Sequence, residues 1–169
     1  MNIIVAVDTN WGIGYSGTQP LVISEDRRHF RELTSGKTVI TGRRTLEDFP
    51  GGKPLKNRQN IILSSKSDFR VDGAVVVHNL RELRETLTDL PEDEVFIIGG
   101  ESVYRLLLPY CHRAYVTQIN AAPPADRYFP NLDTAPEWVI EECGETYLSG
   151  DVRYRFVTYK NIMKKELEQ

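Results

Sequence analysis

Five stretches of the chain are almost wholly apolar and rich in β-branched residues: NIIVAV (2–7), TVIT (38–41), NIILSS (60–65), AVVVH (74–78) and VFII (95–98). Runs of this kind, without polar alternation, suit parallel strands covered on both faces. Between them lie segments with helical spacing: EDRRHFRELT (25–34), RRTLEDF (43–49), LRELRETLTDL (80–90) and ESVYRLLLP (101–109). The last third changes character. RAYVTQIN (113–120) and DVRYRFVTYKNI (151–162) alternate apolar and polar positions, as half-exposed antiparallel strands do. The pattern predicts an α/β fold: a central mixed, mostly parallel β-sheet flanked by about four helices, with antiparallel C-terminal strands.

Length and composition narrow this only a little. At 169 residues the chain is long enough for one domain with a sizeable core, and 40% hydrophobic with 27% charged residues is an ordinary globular balance. The Pro-rich segment at 120–138 is too near the end to be a linker to a second domain. We expect a domain over residues 1–163 and a solvated tail at 164–169, with no internal repeat. No apolar run reaches the roughly 18 residues of a membrane helix, and MNIIVAV reads as a first strand rather than a secretion signal. A cytoplasmic monomer is expected. A net charge of −3 argues against nucleic acid as a partner. Cys111 and Cys143 are far apart, and His29, His78 and His112 lack ligand spacing, so reduced thiols and no metal are expected.

GIGYSG (12–17) matches a dinucleotide-binding glycine pattern, but that pattern requires a helix to open at the glycines. TQPLVIS follows instead, with Pro20 and no helical period before Ser24. The segment reads as a glycine-rich loop between strand and helix, placed to act as a lid.

With Ser24 as N-cap, the next helix puts Asp26, Phe30 and Leu33 on one face, while Glu25, Arg28 and Arg31 point elsewhere. Asp26 thus stands where periodicity expects an apolar side chain. The plainer reading is a first-turn acid complementing the helix dipole. The functional reading is an inward carboxylate, costly unless partnered, whose pKa rises because desolvation outweighs the dipole.

Two strand-to-helix turns offer anion sites. Gly42, Arg43, Arg44 and Thr45 bring backbone N–H groups, a hydroxyl and two arginines to one strand end, and Ser64 and Ser65 end the next strand. Adjacent ends of parallel strands form a binding crevice, so the set suggests an extra phosphate, as in NADPH rather than NADH. Gly99-Gly100, followed by Glu101 and Ser102, repeats the logic for a pyrophosphate. Surface arginines and a merely flexible turn remain the plainer readings.

Taken together, IIVAVDTNWGIG, the acid and Phe30 of EDRRHF, VITGRRTLEDFPGGKPLKNRQNIILSS, VFIIGGESVYRLLLP and AYVTQINAAPPADRYFP resemble the dihydrofolate reductase family over residues 1 to about 160. The resemblance implies the single-domain fold of that family and reduction of 7,8-dihydrofolate by NADPH, with antifolates as inhibitors. It implies that Asp26 holds the pterin N3 and 2-amino group and promotes protonation at N5 through water, supported by Thr117. Ile4, Val5, Ala6, Phe30, Phe49, Leu55 and Ile98 would form apolar walls, and Arg58 would clamp the α-carboxylate of the substrate's glutamate. On the cofactor side it implies Gly42, Arg43, Arg44, Thr45, Leu63, Ser64 and Ser65 for the phosphates, assisted by His78. Gly99-Gly100 would carry a cis bond, with Glu101, Ser102 and Val103 at the pyrophosphate. Tyr104, Ile98, Ala6, Ile13 and Gly14 would lie near the nicotinamide, and Asp126 would tie the lid closed.

Two positions depart from the family pattern. Leu21 follows Pro20 where a Trp is common, and Arg27 follows the acid where an apolar residue is usual. Arg27 could lay its stem over the pocket mouth and its guanidinium near the glutamate carboxylates. Two rival readings are a reductase of related fold acting on another heterocycle, such as the pyrimidine of riboflavin synthesis, and an NADPH-binding module without turnover. The first needs neither Asp26 nor Arg58.

Overall fold

A computed structural model describes residues 1–168 of the chain. The apolar runs form β1 (Asn2–Val7), β3 (Thr38–Gly42), β4 (Gln59–Leu63), β5 (Ala74–Val77) and β6 (Val95–Gly99). The first glycine cluster contributes β2 (Gly12–Gly14). The C-terminal third supplies β7 (Arg113–Ile119), β8 (Arg127–Tyr128), β9 (Trp138–Cys143), β10 (Tyr147–Ser149) and β11 (Val152–Asn161). Helices α1 (Ser24–Thr34), α2 (Arg43–Glu47), α3 (Leu80–Leu87) and α4 (Glu101–Leu107) fall where helical spacing predicts them.

Nine strands make one sheet in the order β10-β11-β7-β1-β6-β3-β4-β5, with β9 also on β11. The strands from β7 through β5 pair in parallel, and β11 runs antiparallel to β7, β9 and β10. The apolar runs lack alternation because both faces are covered. Ile3, Val5, Val7, Ile40, Ile61 and Ile97 enter one core cluster, while Ile4, Val39 and Phe96 enter another with Phe30 and Leu33. The strand side chains among these are nearly inaccessible, and each contributes roughly 1.5–3 kcal/mol of burial. Among the described residues, no helix is long and apolar enough to cross a membrane.

Three expectations need correction. Ser24 does not cap α1: the N-cap is Ile23, which has no side-chain cap bond, and the Ser24 hydroxyl donates to Glu25. Ile23 is buried against Ile119 and Tyr154, so packing rather than a polar cap anchors the helix start. The 12–17 segment is not all loop. β2 pairs antiparallel with β8, and no helix opens at its glycines, which agrees with rejecting the dinucleotide pattern. The segment expected as a solvated tail returns to the body: Lys165 N–H donates to the Pro109 carbonyl, Leu167 packs on the main core and Lys164 pairs with Glu92. Gln169 lies outside the described residues.

Candidate active site

α1 lies against the face of the sheet that carries Ile4 and Phe96. It presents Asp26, Phe30 and Leu33 there half-buried, while Arg27, Arg28 and Arg31 are exposed, Arg28 pairing with Glu32 at 3.1 Å. The register Ala6↔Thr117↔Phe156 lays one row across β1, β7 and β11. From that row the Thr117 hydroxyl donates to Asp26 Oδ1 at 2.6 Å. Burial pushes the Asp26 carboxyl up from its ordinary value, and the Thr117 hydrogen bond and nearby His29 offset this only in part. His29 stacks on Phe156 with centroids 4.0 Å apart, and burial lowers its own pKa, so it faces Asp26 with its cationic form disfavoured. An acid of this kind can exchange a proton with a bound ligand nearer neutrality than a solvated carboxylate.

Around Asp26 the walls are apolar. Ile4, Phe30, Leu55 and Ile98 cluster on one side; Leu21, Ala6 and Phe156 pack with Ile23 on the other. Phe49 is half-buried beyond α2. Val5 does not join them as a side chain. Alternation along β1 turns it into the opposite core with Val7, so only its backbone borders the site.

Arg58 sits at the far end of this trough. Its Nη1 donates to Thr34 Oγ1 at 3.1 Å, its Nε to the Lys56 carbonyl at 2.9 Å, and its guanidinium carbon lies 5.9 Å from the Phe30 ring centre. Thr34 Oγ1 in turn donates to the Phe30 carbonyl, so the side chain is braced and aimed, with donors to spare. No ion pair holds Arg58 among the described residues, which leaves it able to take a carboxylate.

The second half of the site follows the carboxyl ends of β3, β4, β5 and β6, aligned by the registers Gly42↔Leu63↔Val77 and Thr41↔Gly99. Arg44 is exposed and Thr45 faces Gly100, where an added Cβ would stand 3.0 Å from the threonine oxygen. A Cβ on Gly42 would likewise come within 3.1 Å of Val103, a buried residue that supports the turn from the core. The Gly99–Gly100 peptide is cis, and the Gly99 carbonyl accepts from Thr41 Oγ1 at 2.8 Å. Ser64 is buried; its carbonyl binds His78 Nδ1 at 2.7 Å, which fixes the imidazole beside exposed Ser65. Tyr104 is buried and donates to the Ile4 carbonyl at 2.8 Å, joining the two halves. The donor-rich, glycine-lined edge suits a phosphorylated dinucleotide.

Not every expected group is free. Arg43 is tied to Glu47 at 2.7 Å, and the Glu101 carboxylate accepts the Tyr128 N–H, bracing β8 rather than facing the crevice. Asp126 joins the β2 segment: its N–H donates to the Gly14 carbonyl and its Oδ2 accepts from Ser16 N–H at 3.1 Å. Asp8 escaped the sequence reading. Its Oδ1 accepts from Asn10 and Gly12 N–H at 2.8 and 2.7 Å, shaping the turn into β2, and an acid two residues before Asn-Trp-Gly is a turn signal that could have found it. Thr34 and Thr41 had no such signal, since their partners are remote in sequence. Cys111 and His112 are structural: the thiol donates to the Leu107 carbonyl, and the imidazole lies between the Met1 carbonyl and Asp93.

Residues 1–161 match the family model described as dihydrofolate reductase. A dihydrofolate reductase of Mycobacterium tuberculosis is 37% identical over 163 residues, covering 94% of this chain and 96% of the relative. One from Bacillus subtilis is 35% identical over 162 residues, covering 95% and 94%. Among solved structures, the Enterococcus faecalis dihydrofolate reductase complexed with NADP(H) and RAB-propyl superposes with a TM-score of 0.83 at 29% identity, over 95% of both chains. The trough with its one buried acid and the glycine-lined strand ends thus belong to a known architecture, and this chain is a member of the dihydrofolate reductase family.

Proposed function

We propose that the chain reduces 7,8-dihydrofolate to 5,6,7,8-tetrahydrofolate with NADPH through the two halves of this site. The observation that carries the division of labour is the Thr117–Asp26 contact inside apolar walls. The family membership supports the reaction. It also sets aside the pyrimidine reductase, which would leave Asp26 and Arg58 without a purpose.

Asp26 takes the amidine-like edge of the pterin with both carboxylate oxygens and promotes protonation at N5 through a water. The upward push on its pKa from burial supports this, because it favours the protonated carboxyl relative to a solvated one. Phe30, Leu55 and Ile98 keep the ring dry and aligned, and Arg58 clamps the substrate's α-carboxylate. Arg27, exposed at the mouth, lies along the benzoyl group and adds charge for the glutamate. NADPH, when bound, supplies a hydride from nicotinamide C4 for pterin C6. Arg44, Thr45 and Ser65, with Ser64 and His78 behind them, hold its 2′-phosphate. Gly99 and Gly100 leave room for its pyrophosphate beside Ser102. Tyr104, Ile13 and Gly14 flank the nicotinamide, with Asp126 holding the lid segment. Leu21, in place of an indole, removes one donor near N5 and fills the cluster with Ile23 instead. The same reading makes the protein a cytoplasmic monomer, in keeping with its free cysteines.

The test is loss of reduced-nicotinamide absorbance with dihydrofolate, in wild type and Asp26→Asn, across pH and with NADPH or NADH. Turnover preferring NADPH, falling by about 10²–10⁴-fold in Asp26→Asn and partly recovered in acid, is expected. Full activity of the variant at all pH would sink the role of Asp26.

A further inference from the structure

Behind the active site lies a cavity of about 390 Å³ that the reaction does not use. The register Val7↔Gln118↔Arg155 crosses β1, β7 and β11 one residue away from the Ala6–Thr117–Phe156 row. Alternation along strands therefore turns it to the face opposite Asp26. Val7, Trp11, Gln118, Asp133, Arg153 and Arg155 line the cavity, and Asp8 closes one side.

Its donors and acceptors do not balance. Asp8 Oδ1 is consumed by the Asn10 and Gly12 N–H groups, and Asp133 Oδ1 accepts from Tyr159 OH at 2.7 Å. Gln118 is spent at both ends, accepting from Arg155 Nε at 2.7 Å and donating to Tyr159 OH at 2.9 Å. Against these, Arg155 keeps both terminal nitrogens free. Arg153, two positions along the same strand and so about 6–7 Å away, makes no side-chain hydrogen bond or ion pair among the described residues. Two guanidinium forks with spare donors thus face a space whose two acids are each held through Oδ1, beside the flat indole of Trp11, which is 8% exposed and stacked on Phe129. Spare arginine donors select carboxylate or phosphate oxygens, and the volume falls in the range of small-molecule pockets.

We infer that this back-face cavity is a second binding site, for a small organic anion whose carboxylate or phosphate lies on Arg153 and Arg155 and whose flat apolar body lies on Trp11.

The chain has two tryptophans, and only Trp11 lines the cavity. The experiment follows both indole N–H signals by NMR in enzyme saturated with NADPH and an antifolate, which blocks the active site. The probes are benzoate and phenyl phosphate, with benzyl alcohol and benzylammonium as matched neutral and cationic compounds. A saturable shift of Trp11 with at least one anion, with Trp138 unmoved, is expected. Arg153→Gln, at an exposed position whose side chain makes no hydrogen bond or ion pair among the described residues, should weaken it about tenfold or more, as should Arg155→Gln. Absence of a Trp11 response to both anions overturns the inference. So does an equal response to benzyl alcohol, or one unchanged in both arginine variants.

Discussion

Thr117→Val isolates one hydrogen bond and reads it in two independent ways. Thr117 is 2% exposed and its hydroxyl donates to Asp26 Oδ1 at 2.6 Å, so valine keeps the shape, removes the donor and admits no water in its place. A hydrogen bond to a charged group is worth about 1.5–3 kcal/mol, and a neutral one about 0.5–1.5 kcal/mol. Burial raises the Asp26 pKa in the folded protein, so the native state holds the proton more tightly than the unfolded chain does. Stability from this group therefore falls as pH rises from the ordinary value of 3.8 through the raised one. Below that window the carboxyl is neutral in both states, and the substitution costs a neutral bond. Above it the cost is the charge-assisted bond, so the penalty grows by about 1 kcal/mol with rising pH. The same difference, at 1.36 kcal/mol per pH unit, moves the alkaline fall of hydride transfer upward by about one unit. Urea unfolding of the ligand-free protein across pH measures the first effect, and single-turnover loss of reduced-nicotinamide absorbance the second. A penalty independent of pH together with an unmoved rate profile would refute the reasoning.

Three further substitutions test other parts of the site. Arg58→Gln should raise KM for dihydrofolate by about 10–100-fold with kcat little changed, because a carboxylate clamp far from the reacting atoms binds ground and transition states alike; a fall in kcat with KM constant in steady-state assays contradicts it. Gly100→Ala places a methyl 3.0 Å from Thr45 Oγ1 and should raise KM for NADPH about tenfold, with a stability loss of about 1–3 kcal/mol in urea titration; unchanged cofactor affinity would show that this backbone does not meet it. Arg27→Leu should raise the ratio of substrate KM to the Ki of an uncharged diaminopyrimidine, since only the substrate has carboxylates to repay the guanidinium; an unchanged ratio removes Arg27 from substrate recognition.

Periodicity placed Asp26 on a buried face because a helix repeats every 3.6 residues, and that inference needed no tertiary knowledge. The same local logic located the apolar strands, the glycine-rich turns after β3 and β6, and the exposed arginines of α1. That logic failed at Ser24, and the resemblance failed at Val5, for different reasons. A serine before a helix competes for the cap with whatever packing anchors the turn, and buried Ile23 prevails here. For Val5, the family resemblance implied a wall of the pocket, although alternation sends its side chain to the other core.

What only the folded chain decides is which partners meet. Thr117 reaches Asp26 across 91 residues, Thr34 braces Arg58 across 24, and Tyr104 reaches Ile4 across 100. None of these pairs shares a helical turn or a hairpin, so no spacing in the sequence encodes them. The strand order β7-β1-β6-β3, which brings remote segments side by side, creates them. Local sequence determines which groups are polar where burial is expected, because that depends on period alone. The pairing that sets their pKa, orientation and role depends on long-range register, and that is decided when the sheet assembles.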